Sequence, residues 1–236
     1  MEKELEPLPY LEKIFVEGVD GRLMTCGEQE RAFDQNNAYK RYGRILGCGE
    51  VGCTLSHIEC CRRMIEKKEP FALIVEDDLV LRDREHLAEL FQSLSKLIDK
   101  PEPMVVLLTG DFWYWNKRKI CERYEIANVY DAVCTGAYLI NLEAANIVYN
   151  MERSHIADDW RSIVNDGVKL SALIPHIADQ ERLNFKTTIA LPREGHSYRI
   201  YRSNMKLSYL VSSYWNAIIK RALRVINQFE SKDFVW

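Results

Sequence analysis

The sequence has no long hydrophobic run. Nowhere in its 236 residues do about 18 uncharged apolar positions follow one another, so no segment reads as a membrane-spanning helix. The opening Met1-Glu2-Lys3-Glu4-Leu5-Glu6 has no apolar core of the signal-peptide kind. No Cys-x-x-Cys pair occurs. The cysteines are Cys26, Cys48, Cys53, Cys60, Cys61, Cys121 and Cys134, an odd number with one adjacent pair. That pattern argues against a disulfide framework or a zinc ribbon and suits reduced thiols used as small apolar residues. There is no internal repeat and no low-complexity stretch. The 32 basic and 35 acidic residues leave a net charge of −3, so the molecule as a whole has no basic field for nucleic acid. What is present is a folding composition, 47% apolar and 28% charged. It excludes a disordered chain and allows one large domain with a real core, or two small ones.

Hydrophobic patterning outlines the elements. Residues 12–19 read as a strand closed by the turn Asp20-Gly21. The stretch 31–44 reads as a short helix and a loop. A glycine-rich turn, Gly47-Cys48-Gly49-Glu50-Val51-Gly52, leads into a helix of about 50–67. Phe71–Val75 and Met104–Leu108 are continuous apolar runs, the pattern of strands buried on both faces of a parallel sheet. A helix over about 83–98 separates them. This order predicts an α/β fold with a single mixed, mostly parallel sheet flanked by helices. Residues 112–125 read as a surface loop with an aromatic cluster, Trp113, Tyr114 and Trp115, which either contacts a ligand or belongs to the core. Two short strands are expected within 126–140. Asn141 is placed to cap a helix over about 142–151, and late strands are expected at 168–174 and 186–190.

The C-terminal part is distinct. Leu207, Val211, Tyr214, Ile218, Ala222 and Val225 share one helical face, with Lys206, Lys220 and Arg224 grouped opposite. Between 193 and 224 stand Arg193, Arg199, Arg202, Lys206, Lys220, Arg221 and Arg224, against the single acid Glu194. The segment is either a terminal helix docked on the core with a solvated basic face, or a contact for an anionic membrane surface. Residues 1–200 are expected to form the main domain and 201–236 this basic amphipathic segment.

Glu76-Asp77-Asp78 follows directly on an apolar strand. Adjacent carboxylates repel, and a divalent cation relieves the cost. Mn2+ or Mg2+ suits hard oxygen ligands completed by phosphate. In open α/β sheets such a triplet sits at the ligand crevice, outside the carboxyl ends of strands. The alternative is a solvated turn capping the next helix. The glycines at 49 and 52 either admit a phosphate to a helix N-terminus or permit tight packing. His57 is either a base or a satisfied core histidine.

Gly49-Glu50-Val51-Gly52-Cys53-Thr54-Leu55-Ser56-His57, a helix, and a strand ending in Glu76-Asp77-Asp78 together resemble glycosyltransferase family 25. That family includes lipooligosaccharide glycosyltransferases of Gram-negative bacteria and collagen galactosyltransferases. Val19-Asp20-Gly21-Arg22, the run Cys134–Ile140 and Ala157-Asp158-Asp159-Trp160 are similar to further motifs of the family, in the same order. The resemblance covers about residues 1–190. It implies a GT-A fold with a Rossmann-type sheet, a UDP-sugar donor, inversion at the anomeric carbon, and a metal on the diphosphate. It places Gly49, Glu50, Ser56, His57, Glu76, Asp77 and Gly136 on the donor side. It makes Asp78 the main metal ligand, with Glu76 beside it and His196 as a late one.

An acceptor hydroxyl needs a carboxylate base. Asp158 and Asp159 are the leading candidates, Asp111 follows, and N-capping of a helix is the other reading of the pair. The expected reaction moves a hexose, galactose by preference, to a lipooligosaccharide core at the inner face of the bacterial inner membrane. The alternatives are a non-catalytic relative that binds glycolipid or membrane, and a metal-dependent hydrolase or nucleotidyltransferase. Met1 falls within what resembles the family's first helix, so the chain is expected to lack the family's first strand.

Overall fold

The computed structural model describes residues 11–82, 84–180 and 200–231. The helices and strands, in chain order, are α1 (Cys26–Ala32), α2 (Gln35–Tyr42), α3 (Cys48–Lys67), β1 (Phe71–Val75), β2 (Leu79–Leu81), α4 (Leu87–Ile98), β3 (Met104–Leu107), β4 (Asp111–Lys119), β5 (Glu125–Val133), β6 (Ala137–Asn141), α5 (Leu142–Asn150), α6 (Trp160–Asn165), β7 (Lys169–Ile174), β8 (Ala178–Gln180), α7 (Leu207–Val225) and β9 (Phe229–Glu230). Local chemistry sets several boundaries. Thr25 and Glu28 form a capping box on α1. Asp34 caps α2, and Gly43 ends it in the left-handed region at φ 66°. Lys68 turns left-handed at φ 56° to end α3 two residues before Pro70.

Seven strands form one sheet in the order β1-β6-β3-β7-β5-β4-β9, and β2 pairs with β8 separately. The α/β class holds, but the mostly parallel sheet does not. β3 and β7 run parallel, and every other pairing in the sheet is antiparallel. The apolar runs reported burial correctly: Val105 and Leu107 join the core under α3, α5 and α6, while Met104, Val106 and Leu108 join the core under α4. Burial on both faces carries no information on direction. Direction comes from β6, which returns from the β4–β5 hairpin and runs between β1 and β3, antiparallel to both.

Two more expectations are corrected. Residues 12–19 do not form a strand. The segment makes no ladder, and Ile14 and Phe15 are exposed; it is fastened instead to α3, as where Ser56 Oγ accepts the Val19 amide at 2.8 Å. A strand-like pattern needs a neighbouring strand, and here the neighbour is a helix. Residues 112–125 are no surface loop. Their first part is β4, in which Phe112 and Tyr114 are buried while Trp115 is exposed, the period-two alternation of a half-buried strand. The strand expected at 186–190 lies outside the described residues.

Asn141 caps α5 as expected and does more. Its Oδ1 accepts from the Ala144 and Met104 amides at 3.1 and 2.9 Å, and its Nδ2 donates to the Lys100 and Glu102 carbonyls at 2.9 and 2.7 Å. One buried amide thus joins β6, α5 and the turn before β3. Asn141→Ala strands these groups and should cost about 2–4 kcal/mol. Urea unfolding with an unchanged m-value would measure it, and a loss under about 1 kcal/mol would show that water replaces the network.

Candidate active site

The site begins with two glycines. A Cβ on Gly21 would sit 2.0 Å from the Cys48 carbonyl oxygen, and one on Gly52 would sit 2.4 Å from the Val19 carbonyl oxygen. Packing is therefore what Gly52 does: it lets the segment around Val19-Asp20-Gly21 lie on the first turns of α3. Ser56, expected at the donor, accepts the Val19 amide and donates to the Gly52 carbonyl, so it serves this junction. Glu50 is held by two bonds from Arg44, at 2.6 and 2.7 Å, and reaches back to the Gly47 amide at 2.8 Å. Gly49 lies beside it in the first turn of α3.

Further along α3, His57 Nδ1 meets the Tyr138 hydroxyl at 2.9 Å, while Nε2 faces Glu76 Oε1 at 3.4 Å. His57 is both a satisfied buried histidine and a neighbour of the acidic turn. Glu76 stands at the carboxyl end of β1, and its Oε1 accepts from the Thr135 hydroxyl at 2.6 Å. Its amide donates to the Gly136 carbonyl at 2.9 Å. Beside it the Leu108 amide, one residue past β3, donates to the Ala137 carbonyl. The ends of β1 and β3 thus meet at the Cys134-Thr135-Gly136 turn. Gly110 packs against Val133 and Cys134, at a φ of 130°, and places Asp111 one residue beyond. Ser231 donates to Asp111 at 2.9 Å.

Trp160 holds the turn from the other side, its indole N–H donating to the Cys134 carbonyl at 3.0 Å. The adjacent aspartates then divide. Asp159 caps α6 through the Ser162 amide and also accepts from the Ser162 and Tyr42 hydroxyls, at 2.8 and 2.7 Å. Asp158 accepts from the Cys134 backbone, and burial, with Asp159 alongside, pushes its carboxyl above the usual range. Cys53 feels both acids: burial first, then Glu76 and Asp158, push its thiol up to about 12. It stays protonated at neutral pH.

Cys53, His57 and Glu76 are, among the described residues, the one group of three such side chains whose possible ligand atoms lie within 4.8 Å of one another. Sulfur, imidazole and carboxylate suit a borderline or soft ion better than Mg2+. Asp77 and Asp78 lie outside that group: on the turn after β1, Asp77 is exposed and Asp78 half-buried. Their carboxylates are the kind of donor that Mn2+ or Mg2+ would take, one or two at a time, with phosphate completing the shell. His196 lies outside the described residues. A cavity behind His57, lined by Thr54, Tyr138, Ile156 and Trp160, has a volume near 40 Å³, room for water rather than a sugar.

The structure therefore brings His57, Glu76, Gly136 and Asp158 together around one turn, and ties Glu50, Ser56 and Asp159 into its supports. The cysteine pattern reads Cys53 as a small apolar residue rather than a ligand, and sequence reasoning passes over Thr135. The signal for Cys53 was its place one helical turn before His57. For Thr135 it was only its position within the 134–140 motif.

The arrangement is an acidic turn at the end of β1, in a mixed, mostly antiparallel sheet flanked by helices. The sequence model of Glycosyltransferase family 25 (LPS biosynthesis protein) matches residues 1–160, and the chain belongs to that family. No curated protein sequence matches it. Membership brings glycosyltransferase activity in lipopolysaccharide biosynthesis, and with it a sugar donor and a lipopolysaccharide acceptor. Among the described residues no helix is long and apolar enough to cross a membrane.

The raised carboxyl of Asp158 has a signed consequence. A carboxyl whose folded pKa exceeds its unfolded value opposes folding once pH rises above the ordinary range, and costs nothing below it. Asp158→Asn should therefore raise the Tm at pH 7, with the gain fading as pH falls toward about 4. Thermal melts at the two pH values check this, and an equal gain at both would show that charge is not its origin.

Proposed function

We propose that the protein is an inverting hexosyltransferase that moves galactose from UDP-galactose to a lipooligosaccharide core on a GT-A-type scaffold. The observation that supports it most is the convergence of Glu76 and Asp158 on the Cys134-Thr135-Gly136 turn, beside the ends of β1 and β3, in a chain of family 25. Asp158 is the general base. Its elevated affinity for a proton suits it to take one from an acceptor hydroxyl near neutral pH. The acceptor oxygen forms its bond to the anomeric carbon from the face opposite the leaving group. The bond from that carbon to the diphosphate oxygen breaks, its electron pair leaves with UDP, and the hydroxyl proton passes to Asp158.

Asp159 has both oxygens committed to the α6 cap and Tyr42, so it positions Asp158 rather than acting as base. Asp111 is the reserve candidate on the neighbouring strand. Glu76, oriented by Thr135 and His57, binds the donor side, with Gly136 giving backbone access. Asp78, with Glu76 beside it and His196, would hold Mn2+ or Mg2+, which as a Lewis acid would offset charge on the departing diphosphate. The lipid end of the acceptor puts the reaction at an anionic membrane surface, on the cytoplasmic face of the inner membrane.

Incubation with radiolabelled UDP-galactose, Mn2+ and lipooligosaccharide should transfer label. Asp158→Asn should lower kcat by about 10²–10⁴-fold in a folded protein, while Asp159→Asn should act mainly on stability, at about 1 kcal/mol. Transfer unchanged in Asp158→Asn would remove the base, and transfer unchanged in Asp78→Ala would remove the metal role. UDP-galactose hydrolysis without acceptor dependence would favour the hydrolase reading.

A further inference from the structure

The last helix is seated with its polar side inward. Toward the body, Asn216 accepts from the Tyr130 hydroxyl at 2.7 Å, and Lys220 donates to the buried Asp131 at 2.6 Å while lying 4.0 Å over the Trp113 ring. Arg41 donates to the Tyr209 hydroxyl at 3.0 Å, and Arg224 stands 4.3 Å over the Phe229 ring. Leu223 is the one fully buried residue of α7. Away from the body, Leu207 is 72% exposed, Trp215 61%, Ile218 57% and Val225 81%, with Val211 and Tyr214 exposed between them. These positions form a single stripe at helical spacing. A water-soluble terminal helix buries such a stripe; this one presents it.

The flanks identify the partner. Residues 200–229 contain Arg202, Lys206, Lys220, Arg221 and Arg224 and no Asp or Glu. Lys220 is committed to Asp131 and Arg224 to the Trp113 and Phe229 rings, while Arg202, Lys206 and Arg221 remain at the exposed surface. A second copy on this face would set like charges against like charges. An anionic lipid surface offers what the face asks for: acyl chains for Leu207, Val211, Ile218 and Val225, the interfacial layer for Tyr214 and Trp215, and headgroup phosphates for the cations.

We propose that α7 is an interfacial anchor which lies flat in an anionic leaflet, apolar stripe down, while its polar side stays fastened to β4, β5 and α2. The inference takes up the membrane part of the functional reading and is independent of its chemistry.

The test is flotation of the full-length protein with vesicles of phosphatidylcholine alone or with about one-third phosphatidylglycerol, without donor or acceptor. The wild type should float with the anionic vesicles and little with the neutral ones, and should be released by high salt. Val211→Asp with Ile218→Asp should cut partitioning about tenfold or more. Because both positions are exposed, urea stability should stay unchanged. Lys206→Glu with Arg221→Glu should abolish the preference for anionic lipid. Anionic vesicles should also shift tryptophan emission to the blue, and Trp215→Phe should remove most of that shift.

Equal flotation of the Val211/Ile218 variant would overturn the proposal. So would a wild-type dimer that this variant turns into a monomer, or a large loss of stability in it, since each would show the stripe covered by protein. Transfer of label to a soluble core oligosaccharide reads the chemistry separately. If that fails while flotation holds, the catalytic reading falls and the anchor stands.

Discussion

The hydrogen bond from Thr135 to Glu76, 2.6 Å long, joins two parts of the chain that would otherwise repel or drift apart. Glu76 ends a strand, half-buried, with Cys53 and His57 against it. Left alone there, a carboxylate would be costly. Thr135 supplies a hydroxyl donor, and the next residue's carbonyl receives the Glu76 amide. The turn that does this is itself fixed by Trp160, so the position of Glu76 depends on α6, and through the cap of α6 on Asp159 and Tyr42. The site is a chain of dependencies in which each polar group is satisfied by the backbone or side chain of a different element.

That chain explains why adjacent aspartates differ in character. Asp159 receives three donors, from Ser162 and Tyr42, and burial together with that carboxylate pushes the Tyr42 hydroxyl's pKa up. Asp158 receives backbone donors while sharing its surroundings with Asp159 and Glu50, both of the same sign. One neighbour's stability is the other's unease. A pair arranged this way leaves one carboxylate tied into a helix cap and the other, half-buried, with a raised affinity for a proton.

Much of this was legible before the fold was known, and the reasons are local. Asn141 as a cap, the helix after Gly47 and the acidic end of the Phe71–Val75 strand depend on neighbours within a few residues, and periodicity carries them. The meeting of 50–57, 76–78, 134–136 and 157–159 was visible only as a run of motifs in order. What was illegible is what distant pairing decides. The sheet's direction follows from β6 running between β1 and β3. The fate of 12–19 follows from lying on a helix, and Trp113 from meeting Lys220 and Phe229, which stand far along the chain. Ser56 reads as a donor ligand by motif, and its acceptance of the Val19 amide is a second role that no motif announces. A motif records that a residue is needed, and packing says for what.

The ends of α7 carry a mechanical consequence. Before the helix, the Tyr201 and Lys206 amides donate to the Gly43 and Lys40 carbonyls; after it, β9 pairs with β4. The helix is a bridge fixed at both abutments, and a third tie at Lys220 lies along its span. A peptide that folds only on meeting its partner gives up conformational entropy at that moment. A bridge already in place gives up almost none. Whatever meets its outer side meets a formed surface of set tilt, and the body behind it is turned the same way on every encounter.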